Sequence, residues 1–239
     1  LEYTFSNKRW LSSEEIADSD EINRNGVGFH IPRHFDKIVD IEKCYLQKEP
    51  TNEIRNELRS FAIGNKLTFY DIRENTGLLR NLIIRTSTTG QLMVVVQFGE
   101  DNPKDIRLVM NHLKDKFPSM DAFYYVINLK KNETFNDLDL VLFHGSPYIE
   151  EKINNLKFKL GPKSFFQTNT LQTEKLYNKT LEMAQLTGEE VVFDLYCGTG
   201  TITNIVAQKS INSIGIETNK EANDDAKVKK VYNFISLKY

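Results

Sequence analysis

The sequence predicts an α/β protein in two parts. An α+β part with a mostly antiparallel sheet comes first, followed by the opening of a doubly wound parallel sheet. Two observations carry this expectation. The first half alternates short period-two segments with two amphipathic helices, punctuated by Gly, Asn and Pro. The second half contains "EEVVFDL", "YCGTG", "TITNIVAQKS" and "SIGIE", a strand, a glycine loop, a helix and a second strand in close succession. The 239 residues are 40% hydrophobic and 27% charged, enough to bury a core and unlike a disordered chain.

In order, "EYTFS" alternates and reads as a strand. "IADSDEINRNG" is polar and turn-rich, with Asn25-Gly26 as a turn signal before the strand "VGFHI"; "KIVDI" is the next strand. A helix follows over "EPTNEIRNELRSFAIGN": Thr51 is its expected cap, Ile54, Leu58, Phe61 and Ala62 share a face, and Gly64-Asn65 closes it. "LLRNLIIRTS" and "QLMVVVQF" flank "TTG", a hairpin with Gly90 in the positive-φ position. Asn102-Pro103 opens a helix whose apolar face is Ile106, Val109, Met110, Leu113 and Phe117. "AFYYVINL", "DLVLFHG" and "LKFKL" are strands. "NTLQTEKLYNKTLEMAQLTG" is a long helix with Leu171, Lys175, Tyr177 and Leu181 near helical spacing and Gly188 at its end, and "NKEANDDAKVKK" is a final helix. The break at Gly161-Pro162 divides the chain into residues 1–160 and 161–239.

Several classes are set aside. No apolar run approaches a membrane span, and the first ten residues carry neither a charged n-region nor an apolar h-region. Cys44 and Cys197 are the only cysteines, which is no disulfide framework, so a cytoplasmic protein is expected. A net charge of −2 does not by itself point to nucleic acid. The local basic groups, Lys8 and Arg9, Arg73, Arg80 and Arg85, and Lys157, Lys159 and Lys163, read as solvated faces.

The loop after "VVFDL" carries the chemistry. Gly198 and Gly200 allow a tight turn and bare backbone against a ligand, and the helix from Thr201 points its amides at the same place. Glu217, at the end of the next strand, can accept both hydroxyls of a ribose. A dinucleotide fingerprint would have a third glycine, where this chain has Thr203. Asp194 adds a second carboxylate, which suits a cationic ligand better than a pyrophosphate. S-adenosylmethionine has the ribose and the cationic centre.

"FDLYCGTGT" followed by "IGIE" resembles the cofactor site of class I methyltransferases, whose domain is Rossmann-like. "GPKSFFQTNTLQTEKLY" narrows the resemblance to the RNA (uracil-5-)-methyltransferase family. "LEYTFSNKRWL", "FDKIVDIEKCYLQ" and "GLLRNLIIRT" with "GQLMVVVQF" fall in that family's order, nearest its 23S ribosomal RNA branch. The resemblance implies an α+β central domain on the RNA side, followed by a truncated methyltransferase domain. It implies S-adenosylmethionine as cofactor, ribosomal more than transfer RNA as partner, and 5-methyluridine as product. The implied cofactor contacts are Gln167, Tyr196, Thr201 and Glu217, beside the loop residues Asp194, Gly198 and Gly200. For Gln167 the other available role is a local helix cap. Phe165 and Phe166 are expected in the core or a wall.

The chain also departs from the family. The resemblance places the cysteine that attacks uracil C6, and the base that removes the C5 proton, beyond Tyr239. No catalytic residue is therefore assigned within the chain, and the isolated polypeptide is expected not to methylate RNA. Cys197 is expected to pack against the strand end. Cys44 resembles the last of four iron–sulfur ligands, the others falling before Leu1. A cluster is thus implied for a longer protein and not for this chain, where Cys44 is read as a free, partly buried thiol. Two parallel strands are fewer than the five or six usual in a doubly wound sheet, so a fragment is expected, with self-association through its open sheet edge. The competing readings are a non-catalytic RNA- or cofactor-binding remnant and a nucleotide-dependent oxidoreductase.

Overall fold

The hydrophobic core cluster of the structure, a computed structural model describing residues 1–18 and 22–218, lies in the first half, between Tyr3 and Phe123. The chain divides into two units, Leu1–Thr86 with Leu92–Pro147, and Ser87–Gln91 with Tyr148–Tyr239. The expected helix over 219–230 lies outside the described residues.

The first unit holds β1 (Glu2–Ser6), α1 (Ser13–Asp18), β2 (Gly26–Ile31), β3 (His34–Asp40), α2 (Thr51–Gly64), β4 (Leu79–Thr86), β5 (Leu92–Phe98), α3 (Pro103–Lys116), β6 (Ala122–Ile127) and β7 (Val141–Gly145). Its seven strands form one sheet, β3-β2-β1-β4-β5-β6-β7. All neighbours are antiparallel except β5 and β6, which α3 connects as a parallel crossover. Alternation puts Tyr3, Phe5, Leu82, Ile84, Val94, Val96 and Phe98 in one core with Ile54 and Leu58 of α2 and Val109, Met110 and Leu113 of α3. Each such side chain contributes about 1.5–3 kcal/mol by burial. At the intervening positions Thr4, Asn81 and Gln97 form a buried polar ladder across β1, β4 and β5. Asn81 donates to Thr4 Oγ1 at 3.4 Å and Gln97 donates to Asn81 Oδ1 at 3.3 Å.

Arg80 departs from the solvated face expected of it. It is fully buried, donating to the carbonyls of Asn128, Lys130 and Asn132 with its guanidinium carbon 4.4 Å from the centre of the Tyr70 ring. It holds the loop after β6 from beneath, and the three carbonyls replace the water it gives up. Thr51 is the first residue of α2 rather than its cap: its hydroxyl donates to Lys48 O, and the Glu49 carboxylate accepts the Asn52 amide at 2.9 Å. α3 starts as expected, with Asn102 accepting from the Asp105 amide.

The second unit holds β8 (Ile149–Ile153), β9 (Leu156–Leu160), α4 (Thr170–Ala184), β10 (Val191–Leu195), α5 (Thr201–Val206) and β11 (Asn212–Ile216). β8 and β9 form a hairpin. The turn Ser87–Gln91 joins it, with Gly90 at φ 86° as expected. There the Glu151 carboxylate accepts from the Thr88 amide at 3.0 Å, the Thr88 hydroxyl, and the Thr170 hydroxyl at 2.8 Å. α4 buries Thr170, Thr173, Tyr177 and Leu181, whereas Leu171 is exposed. It stops at Ala184 because Gln185 turns into the left-handed region (φ 48°), so Gly188 belongs to the connection that follows.

Candidate functional site

β10 and β11 lie parallel and in register, Asp194 opposite Gly215 and Leu195 opposite Ile216. A parallel pair delivers its loops to the carboxyl edge, and both predicted loop elements emerge there. The turn from β10 to α5 is tight: Tyr196, Gly198 and Gly200 have φ values of 63°, 55° and 72°. Glycine adopts these angles without strain, whereas Tyr196 carries a side chain in the left-handed region. The turn is fixed from both sides. The Cys197 amide donates to Ile216 O at 3.0 Å, and the Asn204 side chain donates to Gly200 O.

The two carboxylates take different places. Asp194 Oδ2 accepts from the Thr203 amide at 2.9 Å and the Thr203 hydroxyl at 2.6 Å. It thereby does for α5 what its glycine N-cap cannot, since Gly200 has no side-chain oxygen. Glu217, just past β11, accepts the Gly198 amide on Oε2 at 2.9 Å. The end of the second strand is thus hydrogen-bonded to the glycine turn. A Cβ built on Gly198 would meet nothing within 4 Å, so the backbone here faces open space.

Tyr196 is 86% exposed beside this turn, while Thr201 is buried at the start of α5. The structure therefore brings Asp194, Tyr196, Gly198, Gly200, Thr201 and Glu217 into one strand–turn–helix cluster. Gln167 lies outside it, exposed in the segment before α4, a helix that packs against α5. The cap of α4 is Asn169, whose side chain accepts the Gln172 amide at 3.1 Å, so Gln167 does not serve as that cap. Phe165 is 74% exposed, against the expectation of a core or wall position; Phe166 packs near Phe158 with ring centres 5.9 Å apart.

Cys197 is buried, and burial first, then the charges of Asp194 and Glu217, push its thiol pKa up. Cys44 is buried in the core of the first unit, its amide and carbonyl both bonded to the Asn52 side chain. Among the described residues no group of three or more His, Cys, Asp or Glu could hold a metal ion. No described helix is long and apolar enough to cross a membrane. Sequence reasoning missed the roles of Thr203, which ties α5 to Asp194 on β10, and of Asn204, which ties it to the turn at Gly200. The available signal was their polar character on the buried face of a short helix.

No family model matches the chain. It is 47% identical over 239 residues to an uncharacterized RNA methyltransferase of Bacteroides thetaiotaomicron, covering 98% of this chain and 53% of that protein. It is 46% identical over 242 residues to an uncharacterized RNA methyltransferase of Porphyromonas gingivalis, covering 98% and 52%. Among solved structures, the Pyrococcus abyssi tRNA (uracil-54, C5)-methyltransferase in complex with S-adenosyl-L-homocysteine aligns with a TM-score of 0.72 at 27% identity, covering 89% of this chain and 51% of that one. The chain spans about half the length of the curated relatives it matches. Over that half it is a relative of proteins named RNA methyltransferases, with the mixed α/β fold of the class I methyltransferases.

Proposed function

We propose that the chain is the central and cofactor-binding part of an S-adenosylmethionine-dependent RNA methyltransferase that forms 5-methyluridine. The observation that carries the reading is the bond between Glu217 and the Gly198 amide. It puts a carboxylate suited to ribose hydroxyls at the same turn whose backbone lies open to a ligand. Glu217 would hold the ribose, Tyr196 would lie beside the adenosine, and Thr201 would offer its amide at the head of α5. Gln167 is assigned to the methionine end. Bound there, S-adenosylmethionine would supply an electrophilic methyl group.

The uracil-5 specificity draws support from the family likeness read in the sequence and from the activity named for the Pyrococcus abyssi protein. The first favours ribosomal RNA as the target; the second protein acts on transfer RNA. Attack on uracil C6 needs a thiolate. Both cysteines of this chain are buried, and the acids beside Cys197 disfavour its charged form. The 239 residues alone are therefore assigned cofactor binding without turnover.

Calorimetry with S-adenosylhomocysteine tests the cofactor assignment. The unaltered chain is expected to bind it, and Glu217→Ala to bind at least about tenfold more weakly, the scale of a lost charged hydrogen bond. Binding of a nicotinamide dinucleotide in preference would overturn the reading. The product assignment is tested by nucleoside analysis of RNA treated with S-adenosylmethionine and a chain extended to the length of its relatives; a methylated nucleoside other than 5-methyluridine would refute it.

A further inference from the structure

The first unit carries a surface that the cofactor site does not use. Trp10 and Phe35 are both large aromatics left in solvent, 46% and 61% exposed. Each has a cation over its ring. Lys37 Nζ lies 5.1 Å from the Trp10 ring centre, and the Arg73 guanidinium carbon 5.3 Å from that of Phe35. The His34 ring, also exposed, is 5.6 Å from Trp10. The arrangement is held from behind. The Trp10 amide donates to Ile38 O at 2.7 Å, fastening the indole segment along the outer strand β3. Arg73 is fixed twice: its Nε donates to Asp36 at 2.7 Å and its backbone amide to Asp71 at 2.9 Å. Asp71 in turn accepts from Lys8 at 2.9 Å.

The charges on this face are sorted by depth. Asp36 and Asp71 are buried and paired, while the Arg73 side chain remains 55% exposed. Arg33, at the tip of the β2–β3 hairpin, is exposed as well. An incoming chain therefore meets aromatic rings with Lys37 and Arg33 beside them and the exposed side of the Arg73–Asp36 pair, although the protein as a whole carries −2. Rings interleaved with cations suit unpaired bases on a phosphate backbone, because every base has a face that can stack and every phosphate a charge to be met. A double helix hides its base faces and would gain only the phosphate part.

We propose that Trp10 and Phe35, with Lys37, Arg73 and Arg33, form a docking surface for a single-stranded segment of the RNA substrate. The proposal rests on the RNA-methyltransferase reading and adds where an unpaired stretch of that RNA lies.

Trp10 is the only tryptophan, so its emission reports the surface directly. The 239-residue chain is titrated with a labelled single-stranded RNA of about 12 nucleotides, within the usual site size. Label anisotropy and Trp10 emission are recorded together, and a duplex of the same sequence is run beside it. Saturable quenching of Trp10 that tracks the anisotropy is expected, with weaker binding of the duplex. Trp10→Ala and Phe35→Ala are each expected to weaken single-strand binding about fivefold or more. S-adenosylhomocysteine binding by both variants, which reports the second unit, should be unchanged, and a far-UV circular dichroism spectrum and urea midpoint matching the parent's show that the first unit, which carries both substitutions, folds. Single-strand binding with unaltered Trp10 emission, or variants that bind as well as the parent, would overturn the surface and leave the cofactor reading intact. So would absence of RNA binding by a chain that binds S-adenosylhomocysteine. A chain that binds neither would remove the reading itself, and the surface with it.

Discussion

Asp194 and Thr203 are joined by two hydrogen bonds to one carboxylate oxygen, 2.9 Å from the backbone amide and 2.6 Å from the hydroxyl. The residue singled out as a charge for the ligand thus also caps the helix whose amides the ligand would meet. The two roles separate by substitution. Asp194→Ala removes the acceptor and is expected to cost about 1–2 kcal/mol in a urea or thermal unfolding series. Asp194→Asn keeps an acceptor and should recover most of that stability. If the Asn variant is as unstable as the Ala variant, the carboxylate's charge, and not the cap, was holding α5.

Glu151 presents a sharper case. It is 2% exposed and serves the Thr88 amide and hydroxyl and the Thr170 hydroxyl. Glu151→Ala would leave several donors without an acceptor, at about 1–3 kcal/mol for each one that stays buried. A loss of at least about 3 kcal/mol is expected on that scale. Thr170→Val removes one donor only and should cost much less. Because Thr170 begins α4, directly after the segment bearing Gln167, Glu151→Ala should also weaken S-adenosylhomocysteine binding. Equal stability of Glu151→Ala and the parent would show that water replaces the carboxylate.

Much of this was legible from residues whose local physics leaves little choice. Asn102-Pro103 started α3, Gly90 turned the β4–β5 hairpin, and the two glycines after "VVFDL" marked the turn at the carboxyl edge. β8 was missed because its inward row is Ile149, Glu151 and Ile153. An acid in the middle breaks the alternation, and only the partners supplied by Thr88 and Thr170 make its burial tolerable. α1 was missed although its signal was present. Ser12 Oγ accepts the Glu15 amide at 3.2 Å, and Glu15 accepts the Ser12 amide at 2.9 Å, a capping box spelled Ser-x-x-Glu. The burial of Arg80 was out of reach, since its partners are carbonyls some fifty residues away, which no local pattern announces. In the site, the turn and Glu217 were legible by spacing, whereas the tie between Asp194 and Thr203 depends on how α5 lies against β10.

The Cys197 thiol offers a test of the site's electrostatics. Burial, Asp194 and Glu217 all raise its pKa. Alkylation by iodoacetamide in the native protein should be much slower than for a free thiol and rise on unfolding. Glu217→Gln removes one of the neighbouring charges and should move the pH midpoint of alkylation downward. An unchanged midpoint would mean that Glu217 does not act on the thiol, leaving burial and Asp194 to raise its pKa.

The pair His30 and Glu133 ties the loop after β6 to β2, with the ring nitrogen 3.3 Å from the carboxylate. The hydrogen bond to Glu133 is the largest influence raising the His30 pKa; burial opposes it, and the charge of Glu133, the Phe35 backbone and Glu2 add to it. The same bond lowers the Glu133 pKa. The signs follow from linkage. A raised histidine pKa gives stability that is fully present below the unfolded value, about 6.5, and is lost as pH rises through the folded value. A lowered carboxylate pKa gives stability that is present above its unfolded value, about 4.3, and is lost as pH falls through the folded one. The pair therefore contributes most between those two unfolded values. Both side chains are about one-third exposed, so solvent screening limits the contribution to less than about 1 kcal/mol. His30→Gln should remove the pH-dependent part. Measured by urea midpoint at about pH 5.5 and about pH 8.5, either side of the ordinary histidine value, the parent should lose more stability on going up than the variant does. Parallel losses in the two proteins would show that the pair is open in solution.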